Sequence, residues 1–419
     1  MENTLLSGQP ISQLGGERHP LKAGQKLPAE IFSGLRKQAM LEGCKWDAQV
    51  GDVATLADFP LIMPQQEWKQ LSSWADQLTE EALTAEREIL ERGLFCHLGF
   101  PRALNQILQS ETPLSAEAAR VMRFDFHYTT EGWRISEVNS DVPGGFTEAS
   151  FFSRLMAAHY SGLRVAGDPM GDWVNAIGTA AGKGGAVALL SAPGYMEDQQ
   201  VMAFLGRQLE AKGCRAILGN PQNLKWKDGQ ANVETPYFTG KIQAVVRFYQ
   251  GEWLARLPRA SGWGHFFRGS ITPLANPGMA VISESKRFPL VWDHLSEPMR
   301  AWRELLPETR EPRDVPWRTD DGWLLKTAMC NTGDTVSIRA LLDDRQWAKV
   351  KWDIWLHSEQ WMAQKRFVPL AIDSPMGRVH FCIGVYTING RSAGCYARLS
   401  PSAVINYAAI DVPLLLSDD

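Results

Sequence analysis

The segment that most constrains this chain alternates like a β-hairpin but carries polar residues at the positions that should face inward. It reads RFDFHYTTEGWRISEVNSD and spans residues 123–141. Side chains two residues apart on a strand share a face, so Arg123 pairs with Asp125 on one strand and Glu137 with Asn139 on the other. An ordinary hairpin would carry Val or Leu there. The pattern therefore indicates a hairpin with a functional face.

The oxygen-bearing side chains of this hairpin suit a hard metal ion. Mg²⁺ prefers oxygen ligands and usually keeps open positions for water and phosphate. Asp125, Glu137 and Asn139 would supply such ligands from rigid strands, and Arg123 would reach an anion bound beside the metal. A solvated hairpin face that binds nothing is the alternative interpretation.

A second polar segment, GWLLKTAMCNTGDTVSIR, follows an apolar strand that ends at Lys326. The loop 331–337 contains Asn331, Thr332 and Gly333, and the backbone N–H groups of such a loop can bind a polyphosphate. The chain has no Walker A motif. A hairpin loop without a ligand is the alternative.

Two further segments place lysines beside apolar runs. SESKRFPL contains Lys286 ahead of a predicted helix, and WMAQKRFVPLAI contains Gln364 and Lys365 in a predicted strand. Surface lysines are the alternative interpretation of both.

The rest of the chain predicts a mixed α/β organisation. Residues 28–110 have mainly helical periodicity, and residues 184–219 form a strand–helix–strand unit. Strand 241–250 continues that alternation, so residues 165–275 are predicted to form a small Rossmann-like layer. The segment has no GxGxxG, so nothing in it indicates a dinucleotide.

Composition narrows the classes of function. Lys+Arg 43 against Asp+Glu 47 gives a net charge of −4, and no basic block occurs, which argues against a nucleic-acid partner. No apolar run approaches the ~20 residues of a membrane helix, and the first residues do not resemble a signal peptide. The six cysteines form no CxxC pair, so we expect buried thiols in a cytoplasmic protein.

Together these segments resemble the ATP-grasp ligases, in particular the circularly permuted branch typified by glutathionylspermidine synthase. RFDF…EVNSD resembles the R-x-D…E-x-N metal signature. NSDVPGGFTEAS, VVRFYQGEWL, SESKRFPLVWDHL and WLLKTAMCNTGDTVSIR resemble later segments of that family. The metal motif follows the lysines in unpermuted ATP-grasp ligases but precedes them here, which is typical of the permuted family.

The resemblance implies an α/β (α+β) fold, namely a circularly permuted ATP-grasp fold with a small Rossmann-like domain. Residues 1–164 would hold a helical region and the metal hairpin. Residues 165–275 would form the Rossmann-like pre-ATP-grasp and substrate domain, and residues 276–419 the nucleotide-binding part.

The resemblance also implies the cofactors and the roles of individual residues. ATP and two Mg²⁺ ions are expected, with Asp125, Glu137 and Asn139 as metal ligands and Arg123 as a catalytic residue. The residues expected to bind ATP are Lys286, Lys326, Asn331, Thr332, Gly333, Gln364, Lys365 and Phe367. Those expected on the substrate side are Ser140, Gly144, Gly145 and Arg398.

The implied reaction joins a carboxylate to an amine through an acyl phosphate, with small-molecule substrates and an oligomeric state left open. The family has polar residues after its metal Asn, where this chain has Val142, Pro143, Gly144 and Gly145. We therefore expect an amino acid or peptide-like acid in place of glutathione. Glu197 and Asp198 would face a cationic amine, or would only cap a helix. A non-catalytic nucleotide-binding protein and a phosphotransferase are the alternative functions.

Overall fold

The computed structural model describes residues 19–50, 53–329, 336–405 and 408–418. In chain order, the α-helices are α1 (Ala29–Leu41), α2 (Gln65–Arg92), α3 (Arg102–Leu108), α4 (Ser153–Ala157), α5 (Pro169–Ala181), α6 (Met196–Ala211), α7 (Gly251–Leu254), α8 (Val281–Glu284), α9 (Arg300–Leu305) and α10 (Asp344–Leu356).

The strands are, in chain order, β1 (Lys22–Ala23), β2 (Gln49–Val50), β3 (Val53–Ala54), β4 (Leu61–Pro64), β5 (Val121–Thr129), β6 (Gly132–Asn139), β7 (Arg164–Val165), β8 (Ala186–Ser191), β9 (Arg215–Gly219), β10 (Leu224–Lys227), β11 (Gln230–Thr235), β12 (Phe238–Lys241), β13 (Ala244–Phe248), β14 (Leu274–Ala275), β15 (Thr309–Arg310), β16 (Trp323–Thr327), β17 (Trp361–Lys365), β18 (Ile372–Ser374), β19 (Gly377–Ile388), β20 (Arg391–Ser400), β21 (Ile410–Val412) and β22 (Leu414–Ser417).

The predicted hairpin is the β5–β6 pair, and it belongs to an antiparallel sheet of order β21-β20-β19-β5-β6, with β18 paired to β19. One face of β5 is apolar, because Met122, Phe124 and Phe126 are fully buried in the main core. The helix α2 packs against β19 and β20 from that side. The opposite face of β5 is left for its polar residues.

The predicted strand–helix alternation of residues 165–275 is present. Strands β14, β13, β8 and β9 form a parallel sheet in that order, as expected when helices cross between successive strands. The helices α5 and α6 supply buried apolar residues to the core on this sheet. A separate antiparallel sheet, β10–β11–β12, lies between β9 and β13 in the chain.

A small third sheet, β15–β17–β16, carries two of the predicted nucleotide-binding segments. It has its own core with α10, in which Trp317, Trp323, Trp347 and Trp361 are buried. The chain boundaries proposed for the domains remain a prediction.

Two expectations are modified by the structure. Residues 28–110 are not wholly helical, because β2, β3 and β4 lie between α1 and α2, and β4 pairs in parallel with β22 near the other end of the chain. Cys96 is exposed, while Cys44, Cys214, Cys382 and Cys395 are buried thiols as expected. No described helix is both long and apolar enough to cross a membrane.

Candidate active site

The hairpin register brings the four polar residues of the sequence pattern together. Asp125 lies opposite Glu137 and Arg123 lies opposite Asn139 in the antiparallel ladder. Residues in such direct pairs have Cβ atoms about 5 Å apart. The pairing is regular from Arg123 to Asp125, and the register shifts between Asp125 and Phe126. The two carboxylates therefore share one face of the sheet.

Asp125 is 1% exposed and is surrounded by cationic groups. The Arg123 guanidinium donates to both carboxylate oxygens at 2.7 and 3.1 Å, and Arg398 on β20 donates at 2.8 Å. Burial alone would raise the pKa of Asp125, but the two guanidinium groups outweigh it and lower the pKa to about 2. This carboxylate is therefore ionised at neutral pH, and Arg398 belongs to the site.

Lys286 joins the second carboxylate of the hairpin to a buried one. Its Nζ lies 3.3 Å from Glu137 and 3.3 Å from Glu284 at the end of α8. Burial would raise the pKa of Glu137, but Lys286 and Lys326 outweigh it and lower the pKa. The 3-10 turn Phe288–His294, where the sequence predicted a helix, follows Lys286.

Lys326 lies between the hairpin and the small sheet. Its Nζ donates at 3.0 Å to the Ser136 carbonyl and at 3.0 Å to Gln364 Oε1. Gln364 in turn donates from Nε2 to the Thr309 hydroxyl at 3.1 Å. Both Lys326 and Gln364 are buried. Lys286 is buried as well, so the alternative of a surface lysine is wrong there, whereas Lys365 is exposed.

These side chains line one cavity of about 310 Å³, within the range of small-molecule sites. The sequence-predicted residues that line it are Arg123, Asp125, Glu137, Asn139, Lys326, Gln364, Lys365, Phe367 and Arg398. Lys286 lines an adjoining small cavity together with Glu137, Lys326 and Gln364. Asn331, Thr332 and Gly333 lie outside the described residues.

His127 also lines this cavity, and the sequence interpretation missed it. Its Nε2 is 3.0 Å from the Ser136 hydroxyl, and its ring lies 5.2 Å from that of Phe367. Burial lowers its pKa to about 4, so the imidazole is neutral at pH 7. The signal was available, because His127 continues the i, i+2 face of Arg123 and Asp125.

The residues of the hairpin fit a magnesium ion that is completed by a ligand. Two carboxylates and an amide are hard oxygen donors, and the Glu137 side chain is 24% exposed. The described residues contain no cluster of three or more His, Cys, Asp or Glu arranged to hold a metal by themselves. Mg²⁺ does not require one, because it is usually bound by one or two carboxylates plus substrate phosphates. Asp125, Glu137 and Asn139 would hold it here.

The chain after Asn139 divides into a buried and an open part. Ser140 is fully buried, and its hydroxyl donates to the Ala280 carbonyl at 3.0 Å, which argues against direct substrate contact. Gly145 has φ +87°, and an added Cβ would lie 2.5–2.6 Å from Tyr396 and Tyr386. An added Cβ on Gly144 would meet only Glu197 Oε1, at 3.9 Å. Packing therefore requires Gly145, while Gly144 borders open space.

An acidic cluster lies beyond Gly144. Lys45 Nζ is buried there, 2.5 Å from Glu148, 3.3 Å from Asp411 and 2.9 Å from Asp47. Asp411 on β21 lies opposite Arg398 in the ladder. Burial raises the pKa of Asp411 to about 7, with Lys45 opposing the rise. Several carboxylates therefore share one lysine, and the cluster carries more negative than positive charge.

Glu197 and Asp198 extend this cluster from the first turn of α6. Burial and the neighbouring Glu197 raise the pKa of Asp198 to about 7. Glu197 is exposed, and its carboxylate borders the space beside Gly144. The arrangement can attract a cation next to the cavity.

Comparison with solved structures bears on the fold of the chain. A glutathione synthetase-like effector from Globodera pallida, solved in its apo form, superposes with a TM-score of 0.62 at 15% identity, over 92% of this chain and 96% of the other. A putative gamma-glutamylcysteine synthetase from Methylobacillus flagellatus KT reaches a TM-score of only 0.41 at 11% identity, over 78% and 83%, and supports no argument. No curated protein matches the chain.

Residues 32–417 match the family model described as glutathionylspermidine synthase pre-ATP-grasp. This match covers nearly the whole chain, and the effector shares its fold. The protein therefore has a permuted ATP-grasp fold and belongs to the glutathionylspermidine synthase family of ligases.

Proposed function

We propose that this protein is an ATP-dependent carboxylate–amine ligase that forms an amide bond through an acyl phosphate and releases ADP and phosphate. The observation that carries the proposal is the cavity in which Asp125 and Glu137 lie opposite each other with Arg123 and Lys326 at its walls. Carboxylates beside guanidinium and ammonium groups suit a magnesium-bound polyphosphate.

Two groups of residues would contact the two ends of the nucleotide. Lys326 and Lys286 would contact the phosphates, and the hinge from Gln364 to Phe367 would contact the base. Bound magnesium would offset charge on the phosphates. His127 is neutral and next to Phe367, and so would accept or donate a hydrogen bond without adding charge.

The proposed chemistry needs no protein nucleophile. A carboxylate oxygen of the acid attacks the γ-phosphorus, the bond from that phosphorus to the β–γ bridging oxygen breaks, and ADP leaves. The incoming ammonium first loses a proton to solvent. The amine nitrogen then attacks the acyl carbon, the carbon–oxygen bond to phosphate breaks, and the nitrogen loses a second proton to solvent. Arg123 lines the cavity and would stabilise negative charge on the transferring group and on the tetrahedral oxyanion.

The acidic cluster supports an amine as the second substrate. Lys45 already engages Glu148, Asp47 and Asp411, so Glu197 and Asp198 would attract the incoming ammonium. The open space beside Gly144 lies between this cluster and Arg123. The acid would be an amino acid or a peptide-like acid, as the absence of hydroxyl side chains at Val142–Gly145 suggests.

The test is ADP release with panels of acids and amines, repeated with hydroxylamine as the acceptor. A hydroxamate is expected, because hydroxylamine traps an acyl phosphate. Asp125→Ala and Glu137→Ala should abolish turnover. Nucleotide binding without acid-dependent ADP release would identify a non-catalytic protein, and a phosphorylated hydroxyl product would identify a phosphotransferase.

A further inference from the structure

Glu284 is a buried carboxylate that contacts both Lys286 and the backbone that directly follows β6. Its Oε2 accepts hydrogen bonds from the backbone N–H groups of Ser140 at 2.6 Å and Asp141 at 3.0 Å. Its Oε1 lies 3.3 Å from Lys286 Nζ. One side chain thus links α8 to the segment that directly follows Asn139.

Lys286 is shared between two carboxylates with different tasks. Glu137 and Glu284 lie at the same distance, 3.3 Å, from its Nζ. Glu137 is partly exposed in the cavity and is a candidate metal ligand, whereas the Glu284 side chain is 6% exposed and held by two N–H groups. A buried ammonium that loses its counter-charge is strongly unfavourable. If Glu137 binds a metal ion, Lys286 therefore depends on Glu284 for its counter-charge.

The segment after Asn139 is anchored at several points, and Glu284 holds two of them. Asp141 also accepts from Arg247 and, at 2.6 Å, from the Gly251 N–H. Burial raises the pKa of Glu284, while Lys286 and the two N–H groups oppose the rise. Lys286 and the two N–H groups thus favour the ionised form of Glu284, and Glu284 in turn fixes their positions.

We propose that Glu284 is a positioning residue that holds the Lys286 ammonium away from Glu137 and fixes the start of the substrate segment 140–145. The inference rests on the proposed function, because it assigns Lys286 to the nucleotide and Glu137 to the metal. Without the charge at position 284, Lys286 would stay with Glu137 and compete with Mg²⁺.

The experiment measures ADP binding by calorimetry over a range of Mg²⁺ concentrations, together with hydrogen exchange at the Ser140 and Asp141 amides. Glu284→Gln keeps an oxygen that can accept both N–H bonds but loses the charge. We expect it to raise the half-saturating Mg²⁺ concentration roughly ten-fold, about the effect of one charge-assisted contact, with exchange still slow.

Glu284→Asp separates the two roles, because it keeps the charge but is one methylene shorter. It should stay nearer the native Mg²⁺ dependence and show faster exchange at residues 140 and 141. Glu81→Gln is the matched control, since Glu81 is a half-buried carboxylate that, like Glu284, accepts from two consecutive backbone N–H groups, those of Ala301 and Trp302. It should leave the Mg²⁺ dependence unchanged.

An unchanged Mg²⁺ dependence in Glu284→Gln, or an equal rise in Glu81→Gln, would overturn the proposal. Both measurements use ADP and Mg²⁺ alone. A protein that never releases ADP with any acid would therefore refute the proposed function while leaving this inference to be decided by binding and exchange.

Discussion

The substitution Asp125→Asn should lower both the free energy of unfolding and the rate of ADP release. The carboxylate is 1% exposed and bonded to Arg123 and Arg398. Its pKa falls from the ordinary 3.8 of an aspartate to about 2. At about 1.4 kcal/mol per pKa unit, this shift corresponds to roughly 2 kcal/mol of stability at pH 7.

The substitution also removes the buried counter-charge of Arg123 and Arg398. Removing one member of a buried ion pair typically costs about 3–5 kcal/mol. Asparagine still accepts one hydrogen bond and Arg398 is 24% exposed, so the loss should lie at the lower end, at about 3 kcal/mol. The two estimates agree.

The sign of the pH dependence follows from a depressed carboxyl pKa. The stabilisation is fully present above pH 4 and is lost as the pH falls through about 2. The difference in free energy of unfolding between native protein and variant, measured by urea denaturation, should be constant from pH 7 to pH 5 and fall to about half at pH 3. ADP release at pH 7 should fall at least about a hundred-fold, as expected when a metal ligand is lost.

An Arg398→Met background gives the internal check, because the Asp125→Asn cost should be smaller once one guanidinium is gone. A loss below about 0.5 kcal/mol at pH 7, typical of a surface ion pair, would refute the reasoning. So would a difference that does not change below pH 4.

Three further predictions concern other parts of the site. Lys326→Met should weaken ADP binding about 10- to 100-fold by calorimetry, because a buried charge-assisted bond to phosphate is lost, whereas Lys349→Met on the exposed side of α10 should not. Gly145→Ala should lower the urea midpoint far more than Gly390→Ala. Both have positive φ, but the new methyl group meets two tyrosines only at residue 145. The expected costs are about 3 and about 1 kcal/mol. The KM for the amine should rise about ten-fold from pH 8 to pH 6, because Asp198 becomes protonated below its pKa of about 7. Asp198→Asn should weaken that dependence, leaving the part that comes from Asp411, and leave the KM for ATP unchanged.

The sequence by itself determined which residues share a face. The alternation of residues 123–141 placed Arg123 and Asp125 together, because side-chain direction repeats every two residues whatever surrounds the strand. It also indicated the strand–helix alternation of residues 184–219, since hydrophobic periodicity is local. The assignment of Lys326 and Gln364 to strands rests on the same signal.

Other features depend on which distant segments pair, and local pattern does not encode that. The sequence placed Arg398 near a substrate loop, and only the pairing of β19 with both β5 and β20 puts its guanidinium on Asp125. The sequence did not single out Glu284, and only its burial against residues 140 and 141 gives it partners. Tertiary contacts decided these because a buried charge must find its counter-charge wherever the fold brings one.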